Sequence, residues 1–328
     1  MYKTVTIDKA KYEEVYEGPA RGRFEFALRA FPKTYGRKDK VQFEYKRCIF
    51  EPDMHLGEMT AFKIAEKLGI PCCEVELFSK QHPTMLDIFE TGCISYFEVG
   101  SDDVLYSAEN LISTYAKEHG ISSFHLIDID SIFCAIYDFL KRNNRPLEEY
   151  FKFKRDFITM TFFDLKFGNF DRGINNWFVR VNKTTGVVEL YPMFDNEAIL
   201  GFTDDILENM SYTEISKFNN ERRSKVTILE DRKAKKYTNF KDMYEYLLKH
   251  YPFEMRHASM VLSSFKLEDL ESILNNLPGI SDKRKEFARK NYAYRTIELD
   301  RIKTEYEDSV RVKRAALRTV NFDERMSS

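Results

Sequence analysis

A β-hairpin with a polar residue at each foot is the feature that most restricts this chain. Residues 177–181 (Trp-Phe-Val-Arg-Val) are aromatic and β-branched, residues 182–186 (Asn-Lys-Thr-Thr-Gly) are turn-rich, and residues 187–191 (Val-Val-Glu-Leu-Tyr) return as a second strand. A hairpin brings its ends together. Asn176, before the first strand, and Asp195, after the apolar pair Met193-Phe194, are therefore expected side by side. Asp171 precedes Asn176 by five positions. Any one of the three could be a turn residue flanking a strand. Their common order is what points to chemistry.

Two oxygen ligands held together suit a hard cation such as Mg²⁺. A further carboxylate upstream can orient an attacking hydroxyl. An Asp-x-x-x-x-Asn loop followed by a metal-binding Asp is how phosphoryl transfer is served in protein kinases. Such chemistry also uses a strand lysine on the phosphates and a helix glutamate that holds it. Residues 41–47 alternate like a strand and carry Lys46, and Glu58 opens a helical run to Leu68. Ala61, Ile64, Ala65 and Leu68 mark one face of that helix, and Gly69 is placed to end it. Glu58 is expected in its first turn, as a solvated N-terminal acid or as a partner of Lys46. Gly18 and Arg21, in the stretch Gly-Pro-Ala-Arg-Gly before another alternating run, suit either a phosphate-covering loop or a plain turn.

Composition narrows the class. The 328 residues allow two domains or lobes. A net charge of −2 gives no global field for nucleic acid, so no direct nucleic-acid partner is expected. No apolar run approaches the ~20 residues a membrane helix needs, and residues 1–6 lack an apolar signal core. The reading is a cytoplasmic protein without membrane contact. The five cysteines have no Cys-x-x-Cys spacing and indicate neither a disulfide framework nor a zinc site.

The chain changes character near residue 99. Alternating runs, among them 71–79 and 92–98, come before it. Helical runs at 107–117, 127–142 and 147–164 come after. The aromatic stripe of the last run (Tyr150, Phe151, Phe153, Phe157, Phe162, Phe163) reads as core. Residues 196–238 show few periodic patterns and fit a mobile segment or a solvated loop. Helical runs resume from Phe240 and end in a long charged helix over about 281–319, whose Arg311, Lys313, Arg314 and Arg318 read as a solvated face. The expected architecture is α+β and two-lobed, with a β-rich nucleotide-binding lobe over 1–98 and a helical lobe over 99–328 carrying the loop and metal site.

Gly168-Asn169-Phe170-Asp171-Arg172, with Asn176-Trp177 and Phe194-Asp195, resembles the HipA-like bacterial kinases, in the branch that includes CtkA. Residues 66–70 and 92–95 share the likeness, which covers most of the chain by order of elements and is specific in the Gly168–Asn176 loop. The resemblance implies a protein-kinase-like fold using ATP and Mg²⁺ to phosphorylate Ser/Thr hydroxyls of protein. By position, Asp171 is then the catalytic base, assisted by Arg172 and Asn176. Asn176 and Asp195 hold the metal, Lys46 binds phosphate and is oriented by Glu58, and Tyr96 and Phe97 fall at the adenine hinge. A protein substrate is implied, and an antitoxin or other protein partner is a possible addition. Two positions depart from the pattern. Gly173 stands where the family usually has His, and the Gly18–Gly22 stretch has no Ser or Thr through which the loop could be silenced by phosphorylation. Gly173 keeps open a nucleotide-binding pseudokinase that works as an interaction module. A small-molecule or lipid kinase is the remaining alternative.

Overall fold

The computed structural model describes the backbone of residues 12–19, 26–32, 41–48, 53–81, 89–100, 102–121, 128–204, 210–230, 233–234 and 238–326. Side chains are described over 53–77, 91–97, 99–100, 102–121, 128–204, 210–228 and 238–312. Five antiparallel strands form the first sheet: β1 (Tyr12–Pro19), β2 (Phe26–Pro32), β3 (Val41–Cys48), β4 (Glu74–Gln81) and β5 (Phe89–Glu98). Their order is β1-β2-β3-β5-β4. Lys46 lies on β3, opposite Ala27 of β2 and Cys93 of β5. Its side chain is outside the described residues. Gly18 is the penultimate residue of β1, opposite Ala27, and Arg21, in the β1–β2 connection, lies outside the described residues.

Helix α1 (Met54–Leu68) follows β3 and packs on β4 and β5. Ala61, Ile64 and Ala65 are its fully buried face, as the 3.6-residue spacing predicts. Gly69 ends it in the left-handed conformation (φ 65°), donating its N–H to Ala65 and Glu66 carbonyls. The helix starts earlier than the sequence reading has it. Glu58 is therefore beyond the first turn and is buried, not a solvated acid near the helix N-terminus.

The change of sheet falls between Glu98 and Asp103. Strand β6 (Asp103–Ser107) pairs with β7 (Phe178–Asn182), and β7 with β8 (Val188–Leu190). The latter pair is the expected hairpin. Helices α2 (Ala108–Glu118), α3 (Ile129–Arg142) and α4 (Leu147–Phe167) follow β6 in the chain. On α4, Phe153, Phe157, Phe162 and Phe163 are buried, while Phe151 near its start is 55% exposed. Trp177 packs on Phe157 edge to face, at 5.1 Å between centroids, which seats the hairpin on α4.

Beyond the hairpin lie α5 (Tyr212–Glu221), the short strands β9 (Leu229–Glu230) and β10 (Lys233–Ala234), and α6 (Phe240–His250). Then come α7 (Pro252–Ser263), α8 (Leu267–Asn276) and the long α9 (Asp282–Met326). Helix α5 corrects the reading of 196–238 as patternless. Ser211 and Glu214 form a reciprocal capping box at its N-terminus, and Ser-x-x-Glu was the available signal. Arg311 on α9 pairs with Asp308, as a solvated helix face would.

Candidate functional site

The loop begins where α4 stops. Gly168 takes φ 78°, and its N–H and that of Asn169 both donate to the Asp164 carbonyl, at 2.8 and 2.9 Å. The Asn169 amide donates to Asp164 Oδ1 (3.0 Å), and its own oxygen accepts from the Asp171 N–H (3.2 Å). Asp171 is thereby fixed at the backbone with its carboxylate half exposed. Its carbonyl accepts from the Asn176 Nδ2 (2.8 Å), which leaves Asn176 Oδ1 as the ligand atom of that amide.

Arg172 organises the rest. Its Nε and Nη2 grip the Asp164 carboxylate at 2.9 and 3.0 Å, and Nη2 also donates to Asn196 Oδ1. Its Nη1 donates to the carbonyls of Asn176 (2.9 Å) and Phe194 (2.7 Å). These contacts use every N–H of the guanidinium. One nitrogen thus ties the backbone of Asn176 to that of the residue before Asp195. This places the two predicted ligands together, as the hairpin argument requires. The side chain is only 2% exposed, so the charge expected to assist catalysis is buried among these acceptors rather than open to a phosphate. Burial works against its charge, and Asp164, Asp195 and Glu58 around it outweigh that and raise its pKa. On the other side of the pair, burial raises the Asp164 carboxyl while the guanidinium opposes it.

Asp195 has φ 58°, a left-handed conformation that Asp tolerates better than most residues. Pro71 and Cys73 bracket the segment before it: Met193 N–H donates to Pro71 O (3.0 Å), and Cys73 N–H donates to Met193 O (2.8 Å). After it, the Asn196 N–H donates to Glu58 Oε2. Glu58 therefore holds the backbone beside Asp195, and its expected pairing with Lys46 lies outside the described side chains. Carboxylate oxygens of Asp171, Asp195 and Glu197 lie within 4.8 Å of one another. Three converging carboxylates suit Mg²⁺, which takes oxygen ligands.

Glu197 escaped the sequence reading, since no spacing rule marks a carboxylate two positions past Asp195. Gly57 escaped it too. A Cβ there would fall 2.3 Å from the Glu197 carbonyl, so α1 approaches this segment as only glycine permits. Two buried arginines of α9 complete the frame. Arg284 donates to Asp53 Oδ2 (3.0 Å) and to the carbonyls of Gly201 (2.6 Å) and Asp204 (2.9 Å). Arg295 lies 4.6 Å from the ring centroids of both Phe170 and Phe240 and donates to the Leu165 carbonyl, and burial lowers its pKa to about 9.

At the expected hinge, Phe97 is buried and Tyr96 is half-buried. The Phe97 ring stacks on Tyr191 at 6.0 Å and tilts against Phe194 at 5.0 Å. It is core, not a platform for a base. The Tyr96 hydroxyl donates to Glu76 Oε2 (2.9 Å), and the β4 ladder stops at Tyr96 opposite Glu74. A nucleotide edge would have to be met there by backbone.

The fold is shared with two solved structures. Among solved structures, the chain is similar to a proinflammatory kinase, CtkA, of Helicobacter pylori. The TM-score is 0.66 at 17% identity, over 90% of this chain and 96% of that one. It is also similar to HipA of Shewanella oneidensis MR-1, solved with HipB and its operator DNA, with a TM-score of 0.52 at 11% identity, over 91% of this chain and 67% of that one. No family model and no curated protein matches the sequence.

Proposed function

We propose that the protein is an ATP- and Mg²⁺-dependent kinase that transfers the γ-phosphoryl group to Ser/Thr hydroxyls of protein. The observation that carries this reading is the Arg172 hub, which sets Asn176 and Asp195 together beside the converging carboxylates of Asp171 and Glu197. The HipA-like fold supports it.

Asn176, Asp195 and Glu197 are the residues that would hold the cation. When bound, Mg²⁺ neutralises phosphate charge and orients the chain of phosphates. Asp171 orients the acceptor hydroxyl and takes its proton as the oxygen attacks the γ-phosphorus and ADP leaves. Arg172, Glu58 and Gly57 set the two ligand-bearing segments at fixed separation, so the site is formed before substrate arrives. The first sheet with Lys46 forms the nucleotide side, and the backbone after Tyr96 meets the base. A protein partner beyond the substrate is compatible with this fold, since HipA was solved with HipB.

The test is incubation with Mg²⁺ and γ-labelled ATP beside Asp171→Asn, followed by intact mass and peptide mapping. The expected outcome is label on the wild type and a loss of about a hundredfold or more in the variant, equivalent to roughly 3 kcal/mol in the barrier. Equal labelling of both would refute the assignment of Asp171. Label on lipid or metabolite with none on protein would move the substrate class.

A further inference from the structure

Position 173 is bare in the middle of the loop, and a side chain from elsewhere lies over it. A Cβ built on Gly173 would fall 3.3 Å from Lys225 Cδ. Lys225 comes from the segment between α5 and β9, far along the chain. Its ammonium pairs with Asp171 Oδ1, the carboxylate assigned above as the base. Its position is built, not incidental. The Lys225 N–H donates to the Phe170 carbonyl (3.2 Å), and the adjacent Ser224 N–H donates to Thr238 O (2.8 Å). The side chain remains 50% exposed. A solvated pair of this kind contributes under about 1 kcal/mol to stability, so holding the fold together does not account for it. Of the cations already described at this loop, Arg172 is spent on five acceptors and Arg295 is sandwiched between two rings. Of these, Lys225 is the one left half exposed to solvent.

We propose that Lys225 is a catalytic cation of the phosphoryl transfer, supplied across the chain to the space that Gly173 leaves. This rests on the kinase reading given above. An ammonium carries three N–H donors. One is directed at Asp171, its partner among the described residues, and the others can meet oxygens of the γ-phosphoryl group. In the transfer, the acceptor oxygen forms its bond to phosphorus while the bond to the β–γ bridging oxygen breaks. ADP departs with that electron pair, and the acceptor proton passes to Asp171. Lys225 keeps its proton throughout and offsets charge on the equatorial oxygens.

The experiment compares the wild type with Lys225→Ala, Lys225→Arg and the double variant Lys225→Ala/Gly173→Lys. Gly173 is not among the positive-φ glycines, so a side chain there meets no backbone strain once Lys225 is truncated. Transfer from Mg²⁺–ATP is measured together with calorimetric binding of Mg²⁺–ATP and Mg²⁺–ADP. Lys225→Ala is expected to slow transfer by on the order of a hundredfold, keep its affinity for Mg²⁺–ADP, and lose part of the preference for ATP over ADP. Lys225→Arg keeps a substantial fraction of activity. The double variant regains about tenfold or more over Lys225→Ala, because a lysine at 173 returns the charge to the same space. A merely structural role would give no such rescue. Transfer by Lys225→Ala within about threefold of an active wild type, or a double variant no better than Lys225→Ala, overturns the assignment of Lys225 alone. A wild type that binds Mg²⁺–ATP yet transfers nothing overturns the kinase reading, and the catalytic role of Lys225 with it.

Discussion

Arg172 shows how one side chain can define a site without touching a reacting atom. Its partners are a buried carboxylate, an amide oxygen and two carbonyls on segments that the sequence separates by a hairpin. Breaking a buried pair from one side leaves the other charge uncompensated. Arg172→Met is therefore expected to lower stability by roughly 3 to 5 kcal/mol in urea unfolding. An unchanged midpoint would contradict the hub. His55 makes a different statement at the same scale. It is buried in the first turn of α1, and burial lowers its pKa from 6.5 to about 4, with Asp53 opposing. The folded state thus holds it neutral while the unfolded chain protonates it below pH 6.5. Its stability contribution is complete above that pH and is lost as pH falls toward 4, by about 3 kcal/mol at ~1.4 kcal/mol per unit. His55→Gln should flatten this part of the stability–pH curve. A wild-type curve already flat between pH 6.5 and 4 would exclude the effect.

At the scale of elements, the important contact is between α1 and the segment after Asp195. Gly57 lets the helix backbone sit against the Glu197 carbonyl, and Glu58, the next residue, captures the Asn196 N–H. Gly57→Ala would set a methyl 2.3 Å from that carbonyl and 2.8 Å from Phe202 Cβ. Overpacking of this kind costs about 1 to 3 kcal/mol. The expected result is a lower melting temperature together with a smaller stabilisation by Mg²⁺–ATP, because Glu197 moves with its backbone. A variant that melts and responds like the wild type would show that the contact gives way freely. The helix itself was legible: its apolar face and its Gly69 stop follow from local spacing. That Gly57 must be glycine was not, because the reason is a carbonyl 140 residues away in the chain.

Across the whole molecule, α1 and the segment leading into β4 share one apolar core with the later helices and add specific polar contacts at the site. Pro71 and Cys73 flank Met193, Glu58 meets Asn196, and Arg284 links Asp53 to Gly201 and Asp204. A ligand bound at this junction stabilises only the folded state. Free Mg²⁺–ATP at a hundred times its dissociation constant adds about 2.7 kcal/mol. Thermal melting should therefore rise with Mg²⁺–ATP and return to its starting value with EDTA. Asp195→Ala should remove the metal-dependent part. A shift that survives both treatments would place the nucleotide elsewhere.

The sequence by itself determined what depends on near neighbours. The hairpin over 177–191, the aromatic face of α4, the glycine stop at 69, and the adjacency of the segments carrying Asn176 and Asp195 all follow from local spacing and from turns that bring chain ends together. The tertiary structure alone decided what depends on distant partners. It buried Arg172 and Glu58, turned Phe97 inward, added Glu197 to the carboxylates, and laid Lys225 across Gly173. The physical reason is range. Backbone periodicity is written within a turn or a strand, whereas burial, ion pairing and close approach are set by whichever segment packs opposite.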